Sequence, residues 1–111
     1  MKRGDIYFAQ LDPTRGAEIQ KTRPVVIVSN DMANRASSLV TVVPLSSNVS
    51  RVFPFELAVS AAQSGLPKDS KAMAQQIRTI DKARLSMQRS GALQPRQLAA
   101  LDDALRLHLA L

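Results

Sequence analysis

Pro24 is followed without interruption by Val25, Val26, Ile27 and Val28. A β-branched run of that length suits a buried strand and is too short for a helix. Pro24 fits the first residue of such a strand, where a missing N–H does least harm. Leu39 to Leu45 is a second run of the same kind, with Pro44 near its end. These runs make a sheet the organising element. The chain has 111 residues, which predicts one domain, residues 1–111, able to bury a core without staples.

Asp5 to Leu11 alternates like a strand, with Ile6 and Phe8 on one face, and the Asp12–Gly16 turn cluster ends it. Ala17 to Thr22 is polar and reads as a loop, and Asn30 to Ser38 has room for one helical turn. Ser46 to Arg51 reads as a polar loop and Phe53 to Val59 as a fourth strand. Gly65 and Pro67 make residues 60–68 a connection, and Lys71 to Ile80 predicts one or two short strands. After Pro95, which suits a first helical position, leucines recur at Leu98, Leu101, Leu105 and Leu109. That spacing draws one apolar stripe on a helix of about 15 residues. Several short strands followed by one helix predict an α+β fold: a small barrel of strongly twisted antiparallel strands with the C-terminal helix covering one side.

The absence of cysteine removes disulfides, thiolate nucleophiles and cysteine-ligated metals together. A single histidine, His108, argues against a metal site and against a two-histidine acid–base pair. It is expected to serve the C-terminal end of its helix, where positive charge is favoured. No metal or other cofactor is expected. No apolar run approaches the roughly 20 residues of a membrane span, and Met1–Asp5 lacks the apolar start of a secretory signal. A cytoplasmic protein without a membrane partner is the expectation. Fifteen Lys/Arg against nine Asp/Glu give a net charge of +6, and residues 93–111 are neutral, so the whole excess lies in residues 1–92. Ten of the fifteen are arginines, which favours bidentate recognition of phosphate or carboxylate. A polyanion such as nucleic acid fits this distribution. The only aromatics are Tyr7, Phe8, Phe53 and Phe55, too few to predict a platform for several stacked bases.

Three blocks carry more specific information. Arg3-Gly4-Asp5-Ile6-Tyr7 is followed by Leu11-Asp12-Pro13-Thr14-Arg15-Gly16-Ala17-Glu18; Arg23 to Asn30 reads RPVVIVSN; Gln76 to Asp81 reads QIRTID. In this order and spacing, over nearly the whole chain, they resemble the MazF/PemK family of toxin endoribonucleases. The resemblance implies an SH3-like barrel with added helices, a homodimer, and metal-independent cleavage of single-stranded RNA. It also implies a cognate antitoxin that blocks the RNA groove, and the basic surface predicts an acidic, partly disordered one. The gyrase-poisoning CcdB toxins, similar in fold but not nucleases, and a catalytically inactive nucleic-acid-binding relative are the alternatives.

RNA supplies its own nucleophile, the 2′-OH. An enzyme then needs only to align it, move protons and stabilise the crowded phosphorus, leaving a 2′,3′-cyclic phosphate and a 5′-OH. The family's catalytic arginine falls on Arg23, whose guanidinium suits two phosphate oxygens. An arginine above pKa 12 stabilises an anion more readily than it transfers a proton. Ser46 stands where many family members carry threonine and keeps the hydroxyl, a donor to phosphate. Glu18 can orient Arg23, accept the 2′-OH proton or read a base; the family often has glutamine next to it, where this chain has Ile19. Lys21, Thr22, Ser47 and Asn48 are candidate RNA contacts. Some kin use a charged pair where this chain has Met73 and Gln75, so Gln75 and Gln76 are assigned to base-edge recognition instead. Arg78 is expected to pair with a carboxylate, Asp81 to cap the turn at Lys82–Arg84, and Asp102-Asp103 to form a solvated helix face.

Overall fold

A computed structural model describes residues 1–111. Seven strands are present: β1 Asp5–Gln10, β2 Thr22–Ile27, β3 Leu39–Ser46, β4 Glu56–Val59, β5 Ser70–Met73, β6 Arg78–Asp81 and β7 Gly91–Ala92. Three helices join them: α1 Asp31–Ala36, α2 Ala61–Ser64 and α3 Pro95–Leu109. Every pairing is antiparallel, in the order β4-β5-β3-β2-β1-β7. The long strand β3 is shared: β2 takes one edge, while β6 pairs its first half and β5 its last two residues. The chain leaving β6 bridges from Leu85 to Ala9 of β1, and Ser86 and Ser90 donate backbone N–H groups to Phe8 and Ile6. The sheet thereby curls round on itself, which gives the expected α+β architecture.

The two β-branched runs are buried on both faces, which explains why neither alternates. Val25 and Ile27 of β2 join Tyr7, Ala9, Leu11, Val40, Val42 and Ile80 in a core inside the curl. Val26 and Val28 join Ile6, Val43, Leu45 and the leucines of α3 in a second core on the other side. In strand β1, Ile6 and Phe8 share one face as expected, but the opposite face is buried as well. Ile6 lies under α3, Tyr7 and Ala9 fill the inner core, and Phe8 lies half-buried beside a cleft. The leucine stripe of α3 packs as expected at Leu98, Leu101 and Leu105, but Leu109 is 46% exposed.

The remaining differences follow from local chemistry. Strand β4 starts at Glu56, not Phe53, because residues 53–56 turn: the Glu56 N–H donates to the Phe53 carbonyl at 2.9 Å, and Pro54 brings no ladder donor. The predicted connection 60–68 contains α2, capped by Ser60 and stopped by Gly65 at φ +83°. The 71–80 segment is two strands divided by a 3-10 turn, Ala74–Gln76. Strand β7 has only two residues, and Gly91 lies so near α2 that an added Cβ would sit 2.1 Å from the Ser64 carbonyl oxygen. No helix is long and apolar enough to cross a membrane.

Candidate functional site

Arg23 is the second residue of β2 and pairs with Ala9 of β1, so its backbone is fixed by the ladder. Its Nε donates to the Gln20 carbonyl at 3.1 Å, and no carboxylate lies within ion-pair distance of it. The stem is therefore held while the terminal fork stays available. Arg23 lines a cleft of about 230 Å³ with Thr22, Ser47 and Lys68, floored by Phe8 and Leu45. Continuing the β2–β3 register two residues past Val25↔Pro44 sets Ser46 across from Arg23. Ser46 is half-buried, its Oγ accepting the Asn48 N–H at 3.2 Å. Ser47 and Asn48 are exposed, and the Asn48 Oδ1 accepts from the Ser50 hydroxyl at 2.8 Å.

Lys21 precedes the strand with φ 70°, in the left-handed region that a lysine seldom occupies. Asp12 accepts its N–H at 3.1 Å, and its carbonyl accepts from the Leu11 N–H at 3.1 Å. The β1–β2 loop is thus cinched at its base, and Lys21 and Thr22 project from it into solvent.

Glu18 faces elsewhere. It is exposed, its carboxylate turned back to accept the Arg15 N–H, and it lines a second cleft of about 440 Å³ with Gln75, Gln76 and Arg78. The group that orients Arg23 is the Gln20 carbonyl, not Glu18. Gln76 is committed to the same loop: its Oε1 accepts the Ile19 N–H at 2.7 Å and its Nε2 donates to the Ala17 carbonyl at 3.3 Å. One side-chain amide thereby fastens the Glu18 loop to the 3-10 turn. Arg78 was expected to meet a carboxylate; instead its guanidinium donates to the Leu11 carbonyl at 3.2 Å, reinforcing the loop's base.

Beside this second cleft lies a polar cluster that sequence reading did not find. The Glu56 side chain is 1% exposed and pairs with Lys71 Nζ at 3.1 Å. Its oxygens also accept from the Phe53 N–H at 2.9 Å and from Gln75 Nε2 at 2.7 Å. Burial pushes the Glu56 pKa up, but the Gln75 and Phe53 donors and Lys71 together outweigh it and hold the carboxyl below its ordinary 4.5. Lys71 also donates to the Arg51 carbonyl at 2.8 Å. The pair therefore anchors the end of the β3–β4 loop, which carries Ser47 and Asn48, and through Gln75 the 3-10 turn. Phe53 and Phe55 stack at 5.3 Å, with the Arg51 guanidinium 4.5 Å over Phe53. The missed signal was thin: a single charged residue opening an otherwise apolar segment.

Asp81 caps its turn as expected, accepting the Ala83 N–H at 2.8 Å. Asp102 does not stay solvated; it binds Arg3 at 2.6 Å and ties α3 to the N-terminus. Asp103 does lie in solvent, paired with Arg106 on the same helix at 2.9 Å. His108 occupies the last turn of α3, its ring 6.3 Å from that of Phe55. No group of three or more His, Cys, Asp or Glu side chains is close enough together to hold a metal ion.

Residues 2–109 match the family model described as the PemK-like, MazF-like toxin of type II toxin–antitoxin systems. The chain belongs to the PemK/MazF toxin family. It is 46% identical over 116 aligned residues to endoribonuclease MazF9 of Mycobacterium tuberculosis, covering 100% of this chain and 98% of that protein. It is 37% identical to endoribonuclease EndoA of Bacillus subtilis, covering 100% of this chain and 96% of the relative. Among solved structures, the Mycobacterium tuberculosis toxin MazF-mt6 superposes with a TM-score of 0.81 at 29% identity, over 96% of this chain and 97% of its own. A mycobacterial endoribonuclease in complex with its cognate antitoxin superposes with a TM-score of 0.82 at 26% identity, over 100% and 96% of the two chains. The PemK/MazF fold accounts for the curled sheet and for the position of α3 across it.

Proposed function

We propose that this chain is the toxin of a type II toxin–antitoxin pair and acts as an endoribonuclease on single-stranded RNA. The observation that carries the reading is Arg23, whose stem is fixed by β2 and the Gln20 carbonyl while its fork opens into a cleft shared with Thr22, Ser47 and Lys68. A planar cation held this way matches two oxygens of one phosphate and the charge that develops on them. Lys68 and Lys21 add positive charge along the strand's path, and Ser46, Ser47 and Asn48 supply hydroxyl and amide donors beside it. The 2′-OH attacks the adjacent phosphorus, the 5′-oxygen leaves, and the products carry a 2′,3′-cyclic phosphate and a 5′-OH. Arg23 stabilises the anionic phosphorane and Ser46 donates to a phosphate oxygen, while Glu18, which lines the second cleft, is assigned to reading a base rather than to the reacting phosphate. This chemistry requires no metal.

The full-length likeness to proteins named endoribonuclease, and to one solved with its antitoxin, supports the same reading. A homodimer and an acidic antitoxin competing for the basic groove complete it. The test is incubation with a long single-stranded RNA in EDTA, with mapping of cut sites and end groups. Discrete cuts at a recurring short motif with cyclic-phosphate and 5′-OH ends are expected, and Arg23→Ala should abolish them with an unchanged circular dichroism spectrum. Intact RNA after prolonged incubation with the wild type would refute the proposal.

A further inference from the structure

Arg51 lies in the β3–β4 loop and is exposed, yet its guanidinium is not loose. It sits over the Phe53 ring, 4.5 Å from the centroid. No carboxylate lies within ion-pair distance of it. Phe53 stacks on Phe55 at 5.3 Å with the ring planes 8° apart, and the Phe55 ring is 6.3 Å from that of His108 on α3. Both phenylalanines are half-buried, so the part of this stack that meets solvent is the cation.

The backbone under the stack is held as well. Lys71 Nζ donates to the Arg51 carbonyl at 2.8 Å and pairs with Glu56 at 3.1 Å, and Glu56 accepts the Phe53 N–H at 2.9 Å. The chain is thereby fixed on both sides of Val52. Lys71 is also the ladder partner of Ser46 between β5 and β3. The stack therefore stands one strand away from Ser46, on the loop that carries Ser47 and Asn48. A cation ordered in this way has little freedom left to lose when a ligand arrives.

We propose that the Arg51 guanidinium, seated on Phe53, is a stacking platform for one nucleobase flanking the scissile phosphate. This rests on the ribonuclease reading above and deepens it. Arg23 is aimed by a hydrogen bond from its Nε into a cleft beside hydroxyl donors, as a phosphate ligand should be. Arg51 is aimed by a ring instead. Unpaired RNA bases stack on arginine planes as they do on aromatic rings, and the ring beneath adds a cation–π term. Every base has a π face, so such a platform requires a base without choosing among the four. The platform needs no loop to move, because the cation already faces solvent.

The experiment measures kcat/KM on a short single-stranded RNA that contains the mapped cut site. Each flanking position is varied in turn to the four bases and to an abasic sugar, for wild type, Arg51→Lys and Arg51→Tyr. The wild type should show one position where the four bases are cut alike and the abasic sugar is cut about tenfold more slowly. Arg51→Lys keeps the charge and loses the plane. It should cut intact RNA at the abasic rate, and abasic RNA no more slowly than the wild type does. Arg51→Tyr keeps a plane and loses the charge, so it should recover most of the dependence on a base. A merely structural arginine would lower all rates together and leave the abasic ratio unchanged. No position with that signature, an unchanged abasic ratio in Arg51→Lys, or a loss in Arg51→Tyr alone, the mark of a phosphate contact, would each overturn the proposal while leaving the nuclease reading intact. No cleavage by the wild type would overturn both.

Discussion

Lys71→Met removes the cation from Glu56 and keeps most of the apolar stem that buries it. The Glu56 carboxylate is then left 1% exposed with the Phe53 and Gln75 donors and without its ion partner at 3.1 Å. Breaking a buried pair from one side costs about 3–5 kcal/mol when nothing else compensates. Two remaining donors to a charged acceptor recover part of this, so about 2–3 kcal/mol of folding stability should be lost at pH 7. The pH dependence discriminates this cause from lost packing. In the wild type the Glu56 pKa lies below 4.5, so its contribution is present above the unfolded carboxylate value and disappears as pH falls through the lowered folded value. Removing Lys71 raises the folded pKa, and each unit of that rise is about 1.4 kcal/mol of the loss. That share must vanish once the pH is below both folded values, because a neutral acid needs no cation. Urea melts of both proteins at pH 7 and near pH 3, at one fixed protomer concentration, give the comparison. A loss under about 1 kcal/mol at pH 7, or the same loss at both pH values, would show that the ion pair does not hold Glu56 as argued.

Three further outcomes are expected. Gln76→Ala frees Ala17 and Ile19 from the 3-10 turn; amide exchange across residues 13–20 should speed up while the cores stay protected, at a stability cost of about 1–2 kcal/mol. Gly91→Ala would put a Cβ 2.1 Å from the Ser64 carbonyl oxygen, so the backbone must shift, and a fall in stability of at least about 1–3 kcal/mol should appear in a denaturant melt. Leu101→Ala empties a fully buried site between α3 and the sheet; about 2–5 kcal/mol should be lost, and an undiminished melting midpoint would mean that α3 does not pack as described.

Elements whose cause is local were legible in the sequence. The β-branched runs gave β2 and β3 because each must be apolar on both faces, and Pro95 with the leucine spacing gave α3 at its observed bounds. The placing of Arg23 at the head of the rigid apolar run was legible, and its candidacy came from the family resemblance; the Gln20 carbonyl that holds its stem was not. What escaped depends on contacts far apart in the chain. Strand β7 has no propensity of its own; Gly91 is there because Ser64 leaves no room for a side chain. The Phe53–Phe55 segment looked like a strand by residue type, yet the Glu56 side chain, turning back onto the Phe53 N–H, makes it a turn.

The same dependence separates the two glutamines. By residue type they are equivalent, and nothing in their flanking sequence ranks one over the other. Their roles diverge because the β1–β2 loop consumes both ends of Gln76, while a carboxylate 19 positions earlier consumes only one end of Gln75. Glu56 in turn can do this only because Lys71, on the neighbouring strand β5, reaches its other oxygen. Glu56, the more buried of the two glutamates, thus fixes which way the Gln75 amide points, through contacts that no local pattern in the sequence marks.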